Sequence, residues 1–264
     1  MIELLNMSSK RLAIILPSYN DMRISRAIRS IRRFDDIGTV VIIVIDGGSS
    51  AEIQRTIQSA LTADDIFVSE RDRGIFDALN KGLDRCGTEF IGWLGSDDMF
   101  TGQVPASRVT AVLEDNDLFI ANLCFFHGEY VTRITHALPA RVGLGKFGLH
   151  NPHYATFGRA RLLKSERFEV DLRTSDQDYF LRIFKKSPRI ASTSAISTLQ
   201  EEGGFSSRSR STIVRLNLEL VSVFSRHTNW VVGPFAVVVK LTYKTLMNCY
   251  YRVFRKRALD YMRT

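Results

Sequence analysis

Short apolar runs alternate with amphipathic segments over the first hundred residues, and this alternation constrains the fold more than any other feature of the 264-residue chain. Runs that are apolar throughout are typical of strands buried on both faces. The predicted strands are residues 11–16, 40–45, 66–69 and 90–94. Apolar side chains at helical spacing predict helices at residues 22–34, 51–61 and 74–83. The alternation indicates an α/β fold with a Rossmann-like, mainly parallel central sheet flanked by helices.

Polar residues follow three of these predicted strands. They are Ser18-Tyr19-Asn20, Asp46-Gly47-Gly48-Ser49 and Ser96-Asp97-Asp98. In doubly wound sheets ligands bind beyond the carboxyl ends of the strands, where these three motifs converge. Adjacent carboxylates at a buried strand end suit a divalent cation that also holds substrate phosphates. The sequence therefore predicts an enzyme that binds a nucleoside diphosphate. Asp97 and Asp98 would both take part in binding Mn²⁺ or Mg²⁺, either one directly and the other through water or the sugar.

The second half of the chain has a different pattern. Residues 117–126 and 130–135 predict a pair of strands, 176–184 a helix, and 189–199 a further strand. The Ser- and Arg-rich residues 206–210 predict a linker. The chain is long enough for one sizeable core, or for one domain with an appendage.

The tail after this linker predicts a helix, an apolar run and a basic, aromatic end. The apolar run, residues 230–239, is shorter than the roughly 20 residues that a membrane-spanning helix needs. Basic and aromatic side chains follow: Lys240, Tyr243, Lys244, Tyr250, Tyr251, Arg252, Phe254, Arg255, Lys256, Arg257 and Arg263. This pattern favours an amphipathic helix on an anionic membrane surface. A basic, solvated helix packed on the domain is the alternative.

The formal net charge of +8 indicates an acidic partner, which is a nucleic acid, an anionic membrane or a phosphorylated substrate. The three cysteines, Cys86, Cys124 and Cys249, show neither metal-ligand spacing nor a disulfide framework. That usage favours a reducing, cytoplasmic compartment. Residues 1–10 lack the pattern of a signal peptide.

Four segments, in order and suitably spaced, resemble the family 2 glycosyltransferases of the GT-A fold, in particular bacterial transferases that build surface polysaccharides such as O-antigen or colanic acid. The segments are Pro17-Ser18-Tyr19-Asn20, Asp46-Gly47-Gly48-Ser49-Ser50, residues 69–82 and Gly95-Ser96-Asp97-Asp98. The resemblance implies a GT-A catalytic domain at 1–206, with a nucleotide-sugar half at 11–100 and an acceptor half at 101–206. A membrane-associating helical tail would occupy 207–264.

The resemblance also implies site residues. Asp176 would be the catalytic base, with Asp178 as the runner-up, and Asp98 would serve in both catalysis and metal binding. The implied substrate-binding residues are Pro17, Ser18, Tyr19, Asn20, Asp46, Gly47, Asp72, Arg73, Asn80, Lys81, Ser96, His153, Asp178 and Gly203. Among these, Tyr19 would lie against the nucleotide base and Asp46 would hydrogen-bond it. Gly203 would belong to a loop that closes over the diphosphate.

Each of these residues also has a structural interpretation. Asn20, Asp72 and Asp176 could cap or begin helices, and Gly47 and Gly203 could belong to plain turns. Arg73 and Lys81 could lie on a solvated helix face, Asp97 and Asp98 could be exposed in a turn, and His153 could be a structural histidine. The chain also departs from the family, because Gly95 stands where an Asp is often found and Ala51 replaces an Asp.

The expected function is inverting, metal-dependent transfer of one sugar from a nucleotide sugar, with uridine favoured, to a polyprenyl-diphosphate-linked oligosaccharide. A Gln-x-x-Arg-Trp signature of the processive synthases is absent, which favours addition of a single sugar. The protein would act as a cytoplasmic, peripheral protein on the inner face of the bacterial plasma membrane, with no nucleic-acid partner. The alternatives are a non-catalytic nucleotide-sugar or membrane-surface binder, and an NAD-dependent dehydrogenase. The dehydrogenase is disfavoured because no Gly-x-Gly-x-x-Gly turn follows the first strand.

Overall fold

Four parallel strands form one half of the central sheet. The computed structural model describes residues 10–137, 153–202, 210–228 and 232–253. The strands are β1 (Leu12–Ser18), β2 (Val40–Asp46), β3 (Ile66–Ser69) and β4 (Phe90–Trp93), in the spatial order β3-β2-β1-β4. The helices between them are α1 (Ile24–Phe34), α2 (Ala51–Ala60) and α3 (Ile75–Arg85). The strand–helix alternation predicted from the sequence is confirmed over this half.

Helices cover both faces of these strands, which explains why their sequences are apolar throughout. Leu12, Ile14 and Leu16 of β1 pack into a core with α1 and α2. Ala13 and Ile15 point to the opposite face and pack with α3 and with a later helix at residues 175–185. A strand that is buried on both faces places its ligand-binding groups only at its end, in the loop that follows it.

The second half of the sheet is mixed. Its strands are β5 (Met99–Phe100), β6 (Leu118–His127), β7 (Tyr130–Thr135), β8 (Thr156–Arg159) and β9 (Ile190–Glu201). The order continues β4-β8-β6-β9-β5, with β7 paired to β6. Of these pairs, β6 with β9 is parallel and the others are antiparallel. The predicted pair of strands around Gly128 is confirmed, whereas the parallel character predicted for the sheet holds mainly for its first half.

Helices and one short turn pack against the second half of the sheet. They are α4 (Ala106–Asp115), a 3₁₀ turn (His153–Ala155), α5 (Ala160–Leu163) and α6 (Ser175–Lys185). Two C-terminal helices follow, α7 (Arg210–His227) and α8 (Val232–Val253). These helices pack on α6 through a small apolar cluster of Leu181, Leu220, Val223, Phe224 and Val237. Within the described ranges, every helix is too short or too polar to cross a membrane.

Candidate functional site

The ends of β1, β2 and β3 are in register, so their loops meet at one edge of the sheet. Ser18 pairs with Asp46, and Asp46 with Ser69. Asp46 is fully buried, and one of its carboxylate oxygens accepts hydrogen bonds from the Gly48 amide at 3.2 Å, the Ser49 amide at 2.9 Å and the Ser69 hydroxyl at 2.7 Å. The other oxygen accepts from the Ser49 hydroxyl. Asp46 therefore shapes the loop after β2, a role the sequence did not indicate.

The loop after β1 is tied to the loop after β2 by Asn20. The Asn20 backbone N–H donates to the Ser49 hydroxyl at 2.8 Å. The Asn20 side-chain oxygen accepts from the Ser50 backbone N–H at 3.0 Å. Asn20 has a φ of +48°, a left-handed conformation that Asn adopts more readily than most residues. Beside it the Tyr19 ring is 66% exposed, and the buried Ser18 hydroxyl has no hydrogen-bond partner. The ordered loop thus presents an aromatic ring to solvent, where it could stack on a planar ligand.

Asp72 interlocks with the loop after β2. A Cβ at Gly47 would lie 2.7 Å from an Asp72 carboxylate oxygen, so this contact requires glycine. The other Asp72 oxygen accepts from the Gly74 amide at 2.9 Å. Burial raises the pKa of Asp72, and the Gly74 hydrogen bond and the charge of Lys81 oppose this increase. Asp72 and Gly47 therefore lie together, and their roles in substrate binding stay predictions.

Arg73 and Lys81 have different environments at the start of α3. The Arg73 side chain is exposed, and its backbone amide donates to Asp77 at 3.1 Å. Lys81 Nζ donates to the Arg71 carbonyl at 3.1 Å and lies 3.1 Å from a Glu70 carboxylate oxygen. The charge of Lys81 is therefore already matched within the protein, while the guanidinium of Arg73 faces solvent.

Asn80 joins α3 to the segment that precedes α6. Its side-chain amide donates to the Phe168 carbonyl at 2.8 Å, and its side-chain oxygen accepts from the Phe168 amide at 2.9 Å. The side-chain nitrogen and oxygen of Asn80 therefore both hydrogen-bond to the backbone of Phe168. The role in substrate binding stays a prediction, and the structure adds a structural role that no sequence signal revealed.

Asp97 and Asp98 form an acidic pair directly after β4. Asp98 is fully buried, its Oδ1 has no hydrogen-bond partner, and its Oδ2 lies 3.4 Å from the Gln200 side-chain nitrogen. Burial, with the charge of Asp97 adding to it, raises the pKa of Asp98 well above the ordinary value. Asp97 is about a quarter exposed, and burial also raises its pKa. Backbone hydrogen bonds at Glu201 and Gly95 and the charge of Arg23 offset only part of this increase, and a buried carboxylate with an unpartnered oxygen is costly unless a cation pairs with it.

Gly95 explains why the acidic motif is shortened in this chain. A Cβ at residue 95 would lie 2.6 Å from Asp98 Oδ2 and 3.0 Å from Asp97 Oδ1. Any side chain would therefore displace the two carboxylates. With glycine at residue 95, the two carboxylates can pack closely against their own loop.

Charged side chains from the loop after β1, from α1 and from the end of β9 surround the acidic pair. The Ser96 hydroxyl donates to Asp21 at 3.0 Å, and Arg23 lies 3.5 Å from the Asp97 carboxylate. Arg26 donates to the Asp97 carbonyl at 2.8 Å and to Glu201, at the end of β9, at 2.9 Å. Two guanidinium groups therefore stand beside the pair. The sequence analysis did not identify Arg23 and Arg26 as site residues.

The acidic pair fits a divalent cation as a partial ligand set. Among the described residues, no three His, Cys, Asp or Glu side chains are grouped to hold a metal ion. Asp97 and Asp98 offer hard oxygen ligands, and the Asp98 Oδ1 atom has no other partner. Mg²⁺ and similar cations are commonly held by one or two carboxylates together with substrate phosphates and water. The residues present fit such a cation when a diphosphate supplies the other ligands.

His153 lies in an aromatic cluster on the acceptor side. Its ring stacks on Tyr154 with centroids 4.6 Å apart, and Trp93, Phe168 and Phe180 surround it at 5.2–5.6 Å. Burial lowers the pKa of His153 to about 4, against the opposing charge of Asp176, so the imidazole is neutral near pH 7. Its Nε2 atom has no hydrogen-bond partner.

The charges of Asp176 and of the acidic pair all act on one buried residue, Tyr154. Burial raises the pKa of Tyr154 well above its ordinary value, and the charges of Asp98, Asp97 and Asp176 add to that increase. Asp176 is half-buried in the first turn of α6, and its carboxylate lies 3.4 Å from the Gln177 side-chain nitrogen. The acidic pair and the expected base therefore act electrostatically on the same buried side chain.

Both carboxylate oxygens of Asp178 have partners within the protein. Arg182 Nε donates to one carboxylate oxygen at 2.9 Å, and His227 Nε2 lies 2.8 Å from the other. Burial would raise the pKa of Asp178, but the hydrogen bonds from His227 and Arg182 outweigh burial and lower it. Of the two carboxylates on this helix, Asp176 is therefore the better candidate for the base. Gly203 lies outside the described residues.

The chain is similar to known glycosyltransferases. The family model described as "Glycosyl transferase family 2" matches residues 13–171. Two uncharacterized glycosyltransferases of Mycobacterium tuberculosis, MT1564 of strain CDC 1551 and Rv1514c of strain H37Rv, are each 26% identical over 182 residues. The aligned part is 66% of this chain and 69% of each relative.

Two solved structures share the fold. Staphylococcus aureus TarS 1-349, in complex with UDP-GlcNAc, has a TM-score of 0.62 at 15% identity, covering 83% of this chain and 72% of that one. The mannosyltransferase PcManGT of Pyrobaculum calidifontis, in complex with GDP-Man and Mn²⁺, has a TM-score of 0.60 at 14% identity, covering 92% and 75%. The chain belongs to glycosyl transferase family 2, has the GT-A fold and is a glycosyltransferase, so the dehydrogenase and the non-catalytic binder are set aside.

Asp98→Asn tests whether the acidic pair costs stability in the absence of metal. Because Asp98 binds its proton more tightly in the folded protein than in the unfolded chain, wild-type stability falls as pH rises from the ordinary aspartate pKa of 3.8 through the raised value. The neutral amide avoids this loss. We expect Asp98→Asn to raise the free energy of unfolding in chelator-treated protein near pH 7. The gain should shrink as pH falls towards 4, measured by denaturant titration.

The matched control is Asp115→Asn, which neutralises an exposed carboxylate at the end of α4. It should leave stability within about 0.5 kcal/mol of wild type, as is usual for exposed substitutions. A loss of stability in Asp98→Asn near neutral pH would contradict the account of a buried carboxylate with an unpartnered oxygen.

Proposed function

Because the chain is a family 2 glycosyltransferase, we propose that it transfers one sugar, with inversion, from a nucleotide sugar to a polyprenyl-diphosphate-linked oligosaccharide. The pathway would be the synthesis of a bacterial surface polysaccharide such as O-antigen. The observation that supports metal-dependent transfer best is the buried Asp98, with an unpartnered carboxylate oxygen beside the more exposed Asp97. Negative charge that a phosphate brings to this edge of the sheet would need a cation between it and the two carboxylates.

The donor half of the proposal rests on the loops after β1, β2, β3 and β4. Tyr19 would stack on the base, and Asp72 and Arg73 would contact the nucleotide. When bound, Mn²⁺ or Mg²⁺ would neutralise the charge that develops on the departing nucleoside diphosphate. Asp97 and Asp98 would hold the ion, while Arg23 and Arg26 lie beside the pair and could neutralise phosphate oxygens. UDP-GlcNAc in TarS and GDP-Man in PcManGT support a nucleotide-sugar donor, and both bases remain open here.

The acceptor half rests on α6 and the 3₁₀ turn before β8. An inverting transfer needs a base to take the proton of the acceptor hydroxyl as that oxygen attacks the anomeric carbon. Asp176 would accept this proton, because its carboxylate is half-buried and its charge acts on Tyr154 together with the charges of the acidic pair. His153, neutral near pH 7 and with a free Nε2 atom, would offer a hydrogen bond to the acceptor sugar.

A donor screen tests the reaction and names the sugar. Purified protein is incubated with single nucleotide sugars and Mn²⁺ or Mg²⁺, and release of the nucleoside diphosphate is measured. We expect slow hydrolysis of one donor, abolished by chelation, lowered at least about 100-fold in Asp98→Asn, and lowered in Asp176→Asn with donor binding retained. Asp115→Asn is the matched control and should keep wild-type rates.

Two results would contradict the proposal. One is donor hydrolysis that is equally fast after chelation and in Asp98→Asn. The other is the absence of binding by every nucleotide sugar in the panel, measured by calorimetry, because the proposed pocket would then be wrong even if the acceptor were needed for turnover.

The acceptor's membrane location is supported by the outer face of α8. Its exposed apolar side chains recur at helical spacing: Phe235, Val238, Leu241, Leu246 and Tyr250, exposed by 39–67%. From residue 229 onward the sequence has seven Lys or Arg residues and one acidic residue, Asp260. An apolar helix face within a cationic segment suits the surface of an anionic bilayer, where a polyprenyl-linked acceptor would lie.

Phe235→Ser/Leu246→Ser tests this surface. Both side chains are about two-thirds exposed, so the substitutions should leave the fold intact. We expect wild type to sediment with phosphatidylglycerol vesicles more than with phosphatidylcholine vesicles, and the double variant to lose at least about tenfold in partitioning, given about 25 cal/mol per Å² of apolar surface removed from water. Ile37→Ser, exposed by 50% before β2, is the control. Equal sedimentation of both variants would contradict the membrane surface.

A further inference from the structure

The two C-terminal helices, α7 and α8, pack on a side of α6 from which the Asp176 side chain does not project. Residues 174, 178 and 181 succeed one another along one side of α6, at the three- and four-residue spacing of a helix face. All three contact α7. Asp176 lies two residues from both 174 and 178, so its side chain leaves on another side of the helix, where its charge acts on His153 and Tyr154.

Glu219 of α7 holds the residue that precedes α6. One oxygen of its carboxylate accepts the backbone amide of Thr174 at 2.6 Å and the Thr174 hydroxyl at 2.8 Å. The hydroxyl therefore makes no cap within its own helix and is bound to α7 instead. A carboxylate at the N-terminus of a helix is also favoured by the helix dipole. The start of α6 is thus fixed in position by a charge from another helix.

His227 of α7 contacts α6 at Asp178, about one helical turn after Thr174. Its Nε2 atom lies 2.8 Å from Asp178, and both side chains are buried. Between the two polar contacts, Leu220, Val223 and Phe224 pack on Leu181. Glu219 and His227 are eight residues apart, about 12 Å along α7 at 1.5 Å per residue. Their contacts with α6 lie at Thr174, two residues before Asp176, and at Asp178, two residues after it.

Helix α8 reaches Asp176 through Gln177. Lys240 Nζ donates to the Gln177 side-chain oxygen at 3.3 Å, and the Gln177 nitrogen lies 3.4 Å from the Asp176 carboxylate. A general base is commonly oriented by a third group in this way. The chain of contacts runs from the helix with the exposed apolar face to the proposed base.

We propose that the α7–α8 pair is a positioning element for catalysis, in which Glu219 and His227 fix the first turn of α6 and thereby the carboxylate of Asp176. This inference rests on the proposed role of Asp176 as base. The tail then has a role beyond attachment, because the same two helices that would meet the membrane also set the reacting geometry. The helices proposed to lie at the membrane would thus also orient the Asp176 carboxylate towards a lipid-linked acceptor.

Glu219→Ala and Glu219→Gln separate positioning from folding. The alanine variant loses the oxygen that accepts both Thr174 hydrogen bonds, whereas glutamine keeps an acceptor oxygen and loses only the charge. We expect Glu219→Ala to lower kcat for nucleoside diphosphate release by about 10- to 100-fold, since a displacement of about 1 Å can cost that much. The KM for the donor should stay within about twofold. Glu219→Gln should recover most of the loss.

The same substitution in an Asp176→Asn background is the decisive comparison. If Glu219 acts through Asp176, Glu219→Ala should have no further effect on kcat once the base is removed. Arg226→Gln, an exposed neighbour on α7, is the matched control and should not change kcat. If Glu219→Ala fails to fold, His227→Ala with rescue by His227→Gln tests the second contact between α7 and α6, the one that His227 makes with Asp178.

Three outcomes would overturn the inference. An unchanged kcat in both alanine variants shows that the contacts do not position the base. A loss of the same size in the Asp176→Asn background shows a general structural effect. An unchanged kcat in Asp176→Asn itself removes the base from the mechanism, which contradicts the proposed function as well, and so distinguishes the two failures.

Discussion

The unpartnered carboxylate oxygen of Asp98, buried at the end of β4, is the constraint on which the rest of the site depends. A buried ionised carboxylate without a partner is unfavourable by several kcal/mol. The fold bears this cost because β4 is packed between two cores and the loop has no room for a side chain at Gly95. The unpartnered oxygen of Asp98 therefore favours the binding of a cation at the point where a nucleotide sugar would bind. A cation with a diphosphate would satisfy it.

Several polar residues of the site serve the shape of the loops. Asp46 organises the turn after β2 with four hydrogen bonds. Asn80 fixes the backbone at Phe168, and Asp178 joins α6 to α7. The more exposed groups, such as Tyr19, Arg73 and Asp97, are those with capacity left for a ligand. Preorganised loops of this kind lower the reorganisation needed when the donor binds.

The first half of the fold could be predicted from local sequence, because strands buried on both faces and amphipathic helices leave clear periodic patterns. The convergence of Ser18, Asp46 and Asp98 followed from the rule that ligands bind at the carboxyl ends of the strands. The insertion of β8 between β4 and β6 did not follow, since pairing between strands distant in sequence leaves no local signal.

The same limit applies to the contacts around the proposed base. Glu219 lies 43 residues after Asp176 in a helix whose pattern indicated only an amphipathic tail. Its contact with Thr174 depends on how α7 packs on α6, which is decided by the apolar cluster around Phe224. Likewise, no local sequence pattern indicated that Arg23 and Arg26 lie beside Asp97, because that contact joins segments about 70 residues apart.

The most direct test of the account is a titration of Mn²⁺ followed by the electron paramagnetic resonance signal of the free ion, with and without UDP or GDP. Two carboxylates are too few to hold the ion tightly alone. The account therefore predicts that wild type removes the free Mn²⁺ signal only when a nucleoside diphosphate is present, and that Asp98→Asn does not. If Asp98→Asn bound Mn²⁺ and the nucleotide as tightly as wild type, the acidic pair would not be the metal site and the central claim would be wrong.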